Sequence, residues 1–300
     1  MKKLKVIVSA LLVVVSIFAF TACGEFNGNF KEAATEEQIN QVNKAAGSSY
    51  SEVIDEQEGN GWIYKISADS KMTKGDKTEK SKIKGEVQIG TDANGKAEYA
   101  SKLTITGGDK KFNVENYFKD GTYYLKINDG KGKISSALAA GASETIGSLM
   151  KMAGPMYVGM YADNVASISI KGSAALETAG IKAYVDASGD TFKIKYDFTD
   201  EAIKNTLPED ESDVKFKGNA NMNVIVVFNK DLTALKGVRV EMKYDYEYTD
   251  SDNVKTTGKT KFVASVLAND KAVKFPNLSS YGDMNFTEIG KMLDSITSLK

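Results

Sequence analysis

The stretch that decides the fold is Val214-Lys215-Phe216-Lys217-Gly218-Asn219-Ala220-Asn221-Met222-Asn223-Val224-Ile225-Val226-Val227-Phe228. Its even positions are apolar or small, from Val214 through Met222 to Phe228, while its odd positions carry Lys215, Lys217 and a series of asparagines. A period of two places successive side chains on opposite faces, which is the signature of a strand with one buried and one wet face. Asn229-Lys230-Asp231 marks a turn, after which the same parity resumes in Val238, Val240, Met242, Tyr244, Tyr246 and Tyr248, with Arg239, Glu241, Lys243, Asp245 and Glu247 between them. Phe262, Ala264, Val266 and Ala268 continue the pattern on a third strand. Such alternation predicts antiparallel pairing. A strand of 15 residues at about 3.3 Å per residue is about 50 Å long, which is about the diameter of a compact domain of this length. The sheet is therefore expected to twist and curl rather than lie flat, with Gly218 as a bend point.

Working toward the N-terminus, Trp62, Tyr64, Ile66 and Ala68 alternate with Ile63, Lys65 and Ser67. Ile83–Ile89 and Ala97–Ile105 flank the turn Asp92-Ala93-Asn94-Gly95, and Phe112–Phe118 and Thr122–Ile127 flank Lys119-Asp120-Gly121. The runs add up to about nine to eleven strands in one large sheet. Helices are expected over Thr35–Gly47, opened by the capping box Thr35-Glu36-Glu37-Gln38, and over Asp200–Thr206. Two more are expected within Ser135–Asp163, the second over Met156–Asp163 after the break at Gly154-Pro155, and a last one over Thr287–Leu299. The fold class is α+β and mainly β, a curved antiparallel half-barrel with helices on its concave side.

Composition removes most catalytic chemistries. Histidine is absent and Cys23 is the one cysteine. His-ligated metals, Ser-His-Asp triads, CxxC centres and intrachain disulfides are excluded. Formal charge is −1, from 39 basic against 40 acidic residues, which gives no overall electrostatic footprint for nucleic acid. The acidic turns Asp92/Asn94, Asp250/Asp252 and Glu209–Asp213 lack a full calcium-loop ligand set. Gly130-Lys131-Gly132-Lys133 does not connect a strand to a helix as a phosphate loop would. The expectation is a protein without enzymatic activity, cofactor, metal or nucleic-acid partner, acting as a monomer.

Met1–Gly24 carries Lys2, Lys3 and Lys5 ahead of the apolar run Val6–Phe20, too short to stay as a membrane-spanning helix. Phe20-Thr21-Ala22-Cys23 resembles the lipobox of bacterial lipoproteins, with Phe20 where leucine is usual. The resemblance implies that residues 1–22 are a signal peptide and that Cys23 is lipidated. The protein would then be held by its lipid on the extracytoplasmic face of the cell membrane. Loss of the three lysines leaves a mature chain of charge −4, against −1 for the whole. Residues 23–34 are expected to form a lipidated tether, and residues 35–300 a single domain.

The stretch Tyr117-Phe118-Lys119-Asp120-Gly121-Thr122-Tyr123-Tyr124-Leu125-Lys126 and the segment Lys274-Phe275-Pro276 resemble elements of lipoproteins with a LolA/LolB- or LppX/LprG-like fold. That resemblance implies an eleven-stranded half-barrel around helices, whose apolar concavity holds acyl chains. It carries over no functional residue, since no motif aligns Arg239, the chain's one arginine, with a carrier residue. A lipid or other hydrophobic small molecule is the expected partner. The residues expected to line its groove are Trp62, Tyr64, Ile66, Val224, Val226, Phe228, Val240, Met242 and Tyr244 on the strands. Met152, Met156 and Met160 are added from a methionine-rich lid, because methionine adapts to varied apolar ligands. The alternative is a non-catalytic surface or scaffolding lipoprotein in which the same residues fill a solid core.

Overall fold

The computed structural model describes residues 25–47, 61–108, 110–134, 173–205, 214–216, 220–249, 253–269 and 271–285, together with 287, 288 and 291. In chain order the elements are β1 (Glu32–Ala33), α1 (Glu36–Gly47), β2 (Gly61–Lys74), β3 (Lys77–Thr91), β4 (Ala97–Gly107), β5 (Lys110–Lys119), β6 (Thr122–Ile127) and β7 (Gly130–Ile134). There follow α2 (Ser173–Thr178), β8 (Ile181–Asp186), β9 (Thr191–Phe198), α3 (Asp200–Asn205), β10 (Val214–Phe216), β11 (Asn221–Asn229), β12 (Leu235–Thr249) and β13 (Lys255–Asn269), with a short 3-10 turn at Leu278–Ser280. The expected lid, Gly218 and most of the expected C-terminal helix lie outside the described residues, as does Cys23.

All the strands join one open, curled antiparallel sheet in the order β1-β8-β9-β11-β12-β13-β2-β3-β4-β5-β6-β7, with β10 also on β12. Among the described residues the sheet has 13 strands, more than the sequence showed, because β1 spans only two residues and shows no period, and because the single strand expected over Val214–Phe228 is described as two, β10 and β11. β13 occupies the centre and pairs along its whole length with β12 on one side and β2 on the other. β10 and β11 both lie on β12, and the partner of Phe216 is Tyr246 while that of Asn221 is Lys243. In both pieces the even positions up to Val226 have even-numbered partners on β12.

β2 and β3 run well beyond their apolar stretches. Their ladder continues through Lys71↔Lys80 and Lys74↔Lys77, where backbone pairing persists with polar side chains on both faces. The hairpin between β5 and β6 turns through Asp120 and Gly121 at φ 50° and 73°, the paired left-handed conformations that an Asp-Gly turn supplies.

The helices lie on one face of the sheet. α1 is opened as expected, with Gln38 N–H donating to Thr35 Oγ1 at 3.2 Å and Thr35 N–H donating to Gln38 Oε1 at 2.9 Å. Its Ile39 and Val42 join Leu176 of α2 and Ala202 and Ile203 of α3 in one core with the inward residues of β2, β8, β9, β11, β12 and β13.

The opposite face is partly covered from the two ends of the described chain. The described part of the expected tether, Glu25–Ala34, is not free of the sheet. Phe26 is only 2% exposed and packs with Ile225 and Val227, and β1 pairs with β8. A segment of this length needs no period of its own when one aromatic ring and a two-residue ladder fix it. At the other end Val273 and Tyr281, with Phe275 and Leu278, cover Ala100, Tyr117 and Tyr124. The chain then rounds the β7 edge: Lys133 N–H donates to Gly282 O at 2.8 Å and Met284 N–H to Lys133 O at 3.0 Å. Met284 ends against the inward residues of β6. The Gly130–Lys133 stretch is thus an edge strand. Gly132 is required there because a Cβ would lie 2.7 Å from Met284 Cβ, and the wrap shields an edge that would otherwise be open to pairing.

Candidate ligand-binding face

The helix-bearing face divides into two zones. In the first, Trp62, Tyr64, Ile66, Val224, Val226, Phe228 and Val240 are buried with α1, α2 and α3 in a single hydrophobic cluster. Phe228 is 0% exposed. The structure therefore places these seven expected lining residues in closed core, where the helices occupy the space a ligand would need. Their parity was legible, but parity does not say what lies above a face. Met152, Met156 and Met160 lie outside the described residues.

The second zone starts at Met242 and Tyr244, which are half-buried. Met242 belongs to a row that crosses nine strands without a polar interruption. Ile181, Phe198, Met222, Met242, Phe262, Ala68, Ile83, Ile105 and Phe112 are successive register partners on β8, β9, β11, β12, β13, β2, β3, β4 and β5. The two ends of this row are buried, at Ile181, Phe198 and Phe112, and the six residues from Met222 to Ile105 are half-buried, with Met222, Phe262 and Ile83 also touching the closed core. At about 4.8 Å between strands, those six span about 24 Å. Of this row the sequence pointed to Met242 alone, because register partners scattered over the chain are visible only once the strands are aligned.

Next to the apolar row, one step along each strand pair, runs a row of hydroxyls: Tyr244, Thr260, Ser70 and Ser81 are successive partners on β12, β13, β2 and β3. Ser70 Oγ and Thr260 Oγ1 are 3.2 Å apart. Tyr244 is hydrogen-bonded to Thr260, and Tyr246 to Ser70. Burial pushes both phenols up, so they are neutral at physiological pH. The Tyr246 and Tyr248 rings stack at 6.3 Å between centroids and 11° between planes.

A second polar group faces the same way from β4, β5 and β6. Tyr99 Oη donates to Ser101 Oγ at 2.9 Å, Asn116 Nδ2 donates to Ser101 Oγ at 3.2 Å, and Tyr123 Oη donates to Asn116 Oδ1 at 2.7 Å. Burial and the neighbouring Tyr99 push Tyr123 up to about 12. This group escaped the sequence reading. Its signal was present as Ser101 and Asn116 standing on the inward parity of otherwise apolar strands.

The arrangement is an apolar stripe flanked by fixed hydroxyl and amide groups, the usual chemistry of a site for an apolar or amphiphilic molecule. No cluster of three or more metal-ligating residues occurs among the described residues. The acidic turn at Asp92 is instead satisfied internally, its Oδ1 accepting from the N–H groups of Asn94 and Lys96, both at 2.8 Å.

No protein-family model matches the chain, and no curated protein matches it. Among solved structures the chain is similar to LprF from Mycobacterium bovis at 10% identity and a TM-score of 0.26, over 82% of this chain and 99% of that one. It is also similar to a DUF1329 family protein from Desulfovibrio piger at 8% identity and a TM-score of 0.18, over 78% of this chain and 95% of that one.

Proposed function

We propose that the protein is a lipoprotein, anchored through Cys23 at the extracytoplasmic face of the membrane, that holds a lipid or similar amphiphile non-covalently and catalyses no reaction. The observation that carries this reading is the stripe from Met222 to Ile105, apolar on six consecutive strands and half-buried. Its length of about 24 Å suits an extended long acyl chain. The hydroxyl row of Tyr244, Thr260 and Ser70 runs beside it on β12, β13 and β2 and offers hydrogen-bond partners to the polar groups of an amphiphile. Each Å² of apolar surface removed from water contributes about 25 cal/mol. A lipid leaving a bilayer gives up an equally apolar setting, so affinity rests on fit and on the headgroup, and exchange is reversible.

The experiment is native mass spectrometry of the chain from Gly24 onward, purified without detergent. Adducts of lipid mass are expected, and Phe262→Glu, which puts a charge in the middle of the stripe, is expected to remove them. A clean ligand-free mass across several extraction conditions would refute the reading. One observation favours the scaffold alternative: seven of the expected lining residues lie in closed core. Under that alternative the stripe is covered by the chain's own residues, and Phe262→Glu unfolds the protein instead of emptying it.

A further inference from the structure

The face of the sheet away from the helices carries a concentration of lysine that the overall charge hides. Two adjacent register rows cross β3, β2, β13 and β12: Lys80, Lys71, Lys259 and Asp245 in one, and Lys82, Asp69, Lys261 and Lys243 in the next. Six lysines against two aspartates leave four net positive charges around a shallow hollow of about 630 Å³, in a chain whose net charge is −1. Lys82 is paired to Asp69 and Lys259 to Asp245, both at 2.7 Å, and Lys243 and Lys261 share Glu241 of the neighbouring row, which also holds Arg239. Lys80, Lys71 and Lys259 nevertheless stand directly opposite one another, an arrangement that destabilises a sheet.

Phe26 sits on this same face, against Ile225 and Val227. The following residue is fixed as well, Lys193 Nζ donating to Asn27 O at 2.6 Å. Only Gly24 and Glu25 separate Phe26 from Cys23, a leash of at most about 10 Å. A lipid carried by Cys23 would therefore start from the lysine-bearing face and not from the helix-bearing one.

We propose that the lysine-bearing face is a docking surface for the anionic headgroups of a membrane leaflet, with the lysine hollow and the Cys23 anchor as its two points of attachment. Lysine clusters next to an anionic leaflet are attracted to it, and the attraction fades within a Debye length. The anchor half of the argument rests on the lipoprotein reading, whereas the lysine rows stand without it. In this orientation the apolar stripe opens away from the supporting leaflet.

The test reconstitutes the full chain into vesicles of phosphatidylcholine alone, or of phosphatidylcholine with about one-third phosphatidylglycerol, and reads the rate of amine labelling at each lysine by mass spectrometry. Lys71, Lys80, Lys259 and Lys261 are expected to label about fivefold more slowly on the anionic vesicles, with Lys44 of α1 unchanged and the protection lost in 1 M salt. Lys71→Gln with Lys80→Gln removes like-charge contacts, so it is expected to stay folded while losing most of the protection. Equal labelling on both vesicle types overturns the proposal, even if the chain pellets with both and the anchor stands. Protection on anionic vesicles, with the chain absent from phosphatidylcholine pellets, supports the lysine face and counts against the anchor. Protection that appears only in whole cells overturns the proposal in favour of an acidic protein or wall polymer.

Discussion

Arg239 Nη2 donates to Glu241 Oε2 at 3.0 Å, two residues along the same face of β12. The other carboxylate oxygen, Oε1, takes Lys243 at 2.9 Å and Lys261 at 3.2 Å. One carboxylate, 13% exposed, thus gathers three cations from two adjacent central strands. Burial pushes its pKa up, but the hydrogen bonds from Lys243 and Lys261 outweigh that and hold it at about 2 against an ordinary 4.5.

A pH dependence follows from the sign of that shift. A carboxyl whose pKa is lower when folded contributes stability above its unfolded pKa and loses it as the pH falls toward the folded one. Stability to urea is expected to be flat from pH 7 to about 5 and to fall between about 4.5 and 2. Glu241→Gln should lower stability at pH 7 and shrink the fall below 4.5. Urea midpoints of the two proteins at pH 7, 4 and 2.5 check this, and parallel curves would contradict it.

Phe26 distinguishes a docked segment from a tether. Replacing it with alanine is expected to cost about 3 kcal/mol of unfolding free energy, the usual penalty for a buried phenylalanine. Chemical denaturation measures it, and a change below about 0.5 kcal/mol would mean that residues 25–34 do not hold to the sheet.

The two zones of the helix-bearing face should respond differently to truncation. Phe228→Ala, in the closed core, is expected to cost about 4 kcal/mol. Met242→Ala, in the half-buried stripe, is expected to cost about 1 kcal/mol or less and to reduce lipid adducts in native spectra. If Met242→Ala proved as damaging to the fold as Phe228→Ala, the stripe would be core as well.

Gly132 and Met284 form a matched pair at the β7 edge. Gly132→Ala is expected to destabilise by about 1–3 kcal/mol because its methyl group meets Met284. Met284→Ala in the same chain should recover part of that loss. A double-mutant cycle gives the coupling, and simple additivity would remove the contact from the account.

Much of the sheet was legible because a strand with one buried face must alternate, and the parity read at Val214–Phe216, Asn221–Phe228 and Val238–Tyr248 agrees with the observed register. The α1 capping box was legible because its two hydrogen bonds are local. The polar ends of β2 and β3 were not, because backbone pairing needs no apolar side chain. α2 and β8 were too short to show a period. The binding face was half legible. Alternation distinguishes inside from outside, yet only the register shows that Met222, Met242, Phe262, Ala68, Ile83 and Ile105 make one stripe while Trp62, Tyr64 and Ile66 lie under helices.

β13 is the last of the described strands, yet it forms the seam between the half of the sheet built from β2–β7 and the half built from β8–β12. Its partner β2 lies about 200 residues earlier, so the two halves cannot be joined until almost the whole polypeptide is available. Contacts this distant in sequence slow folding, and a chain shortened before Lys255 would leave two unjoined sheets with bare edges. Late closure of this kind means that the two halves become one sheet only when β13 enters between β12 and β2.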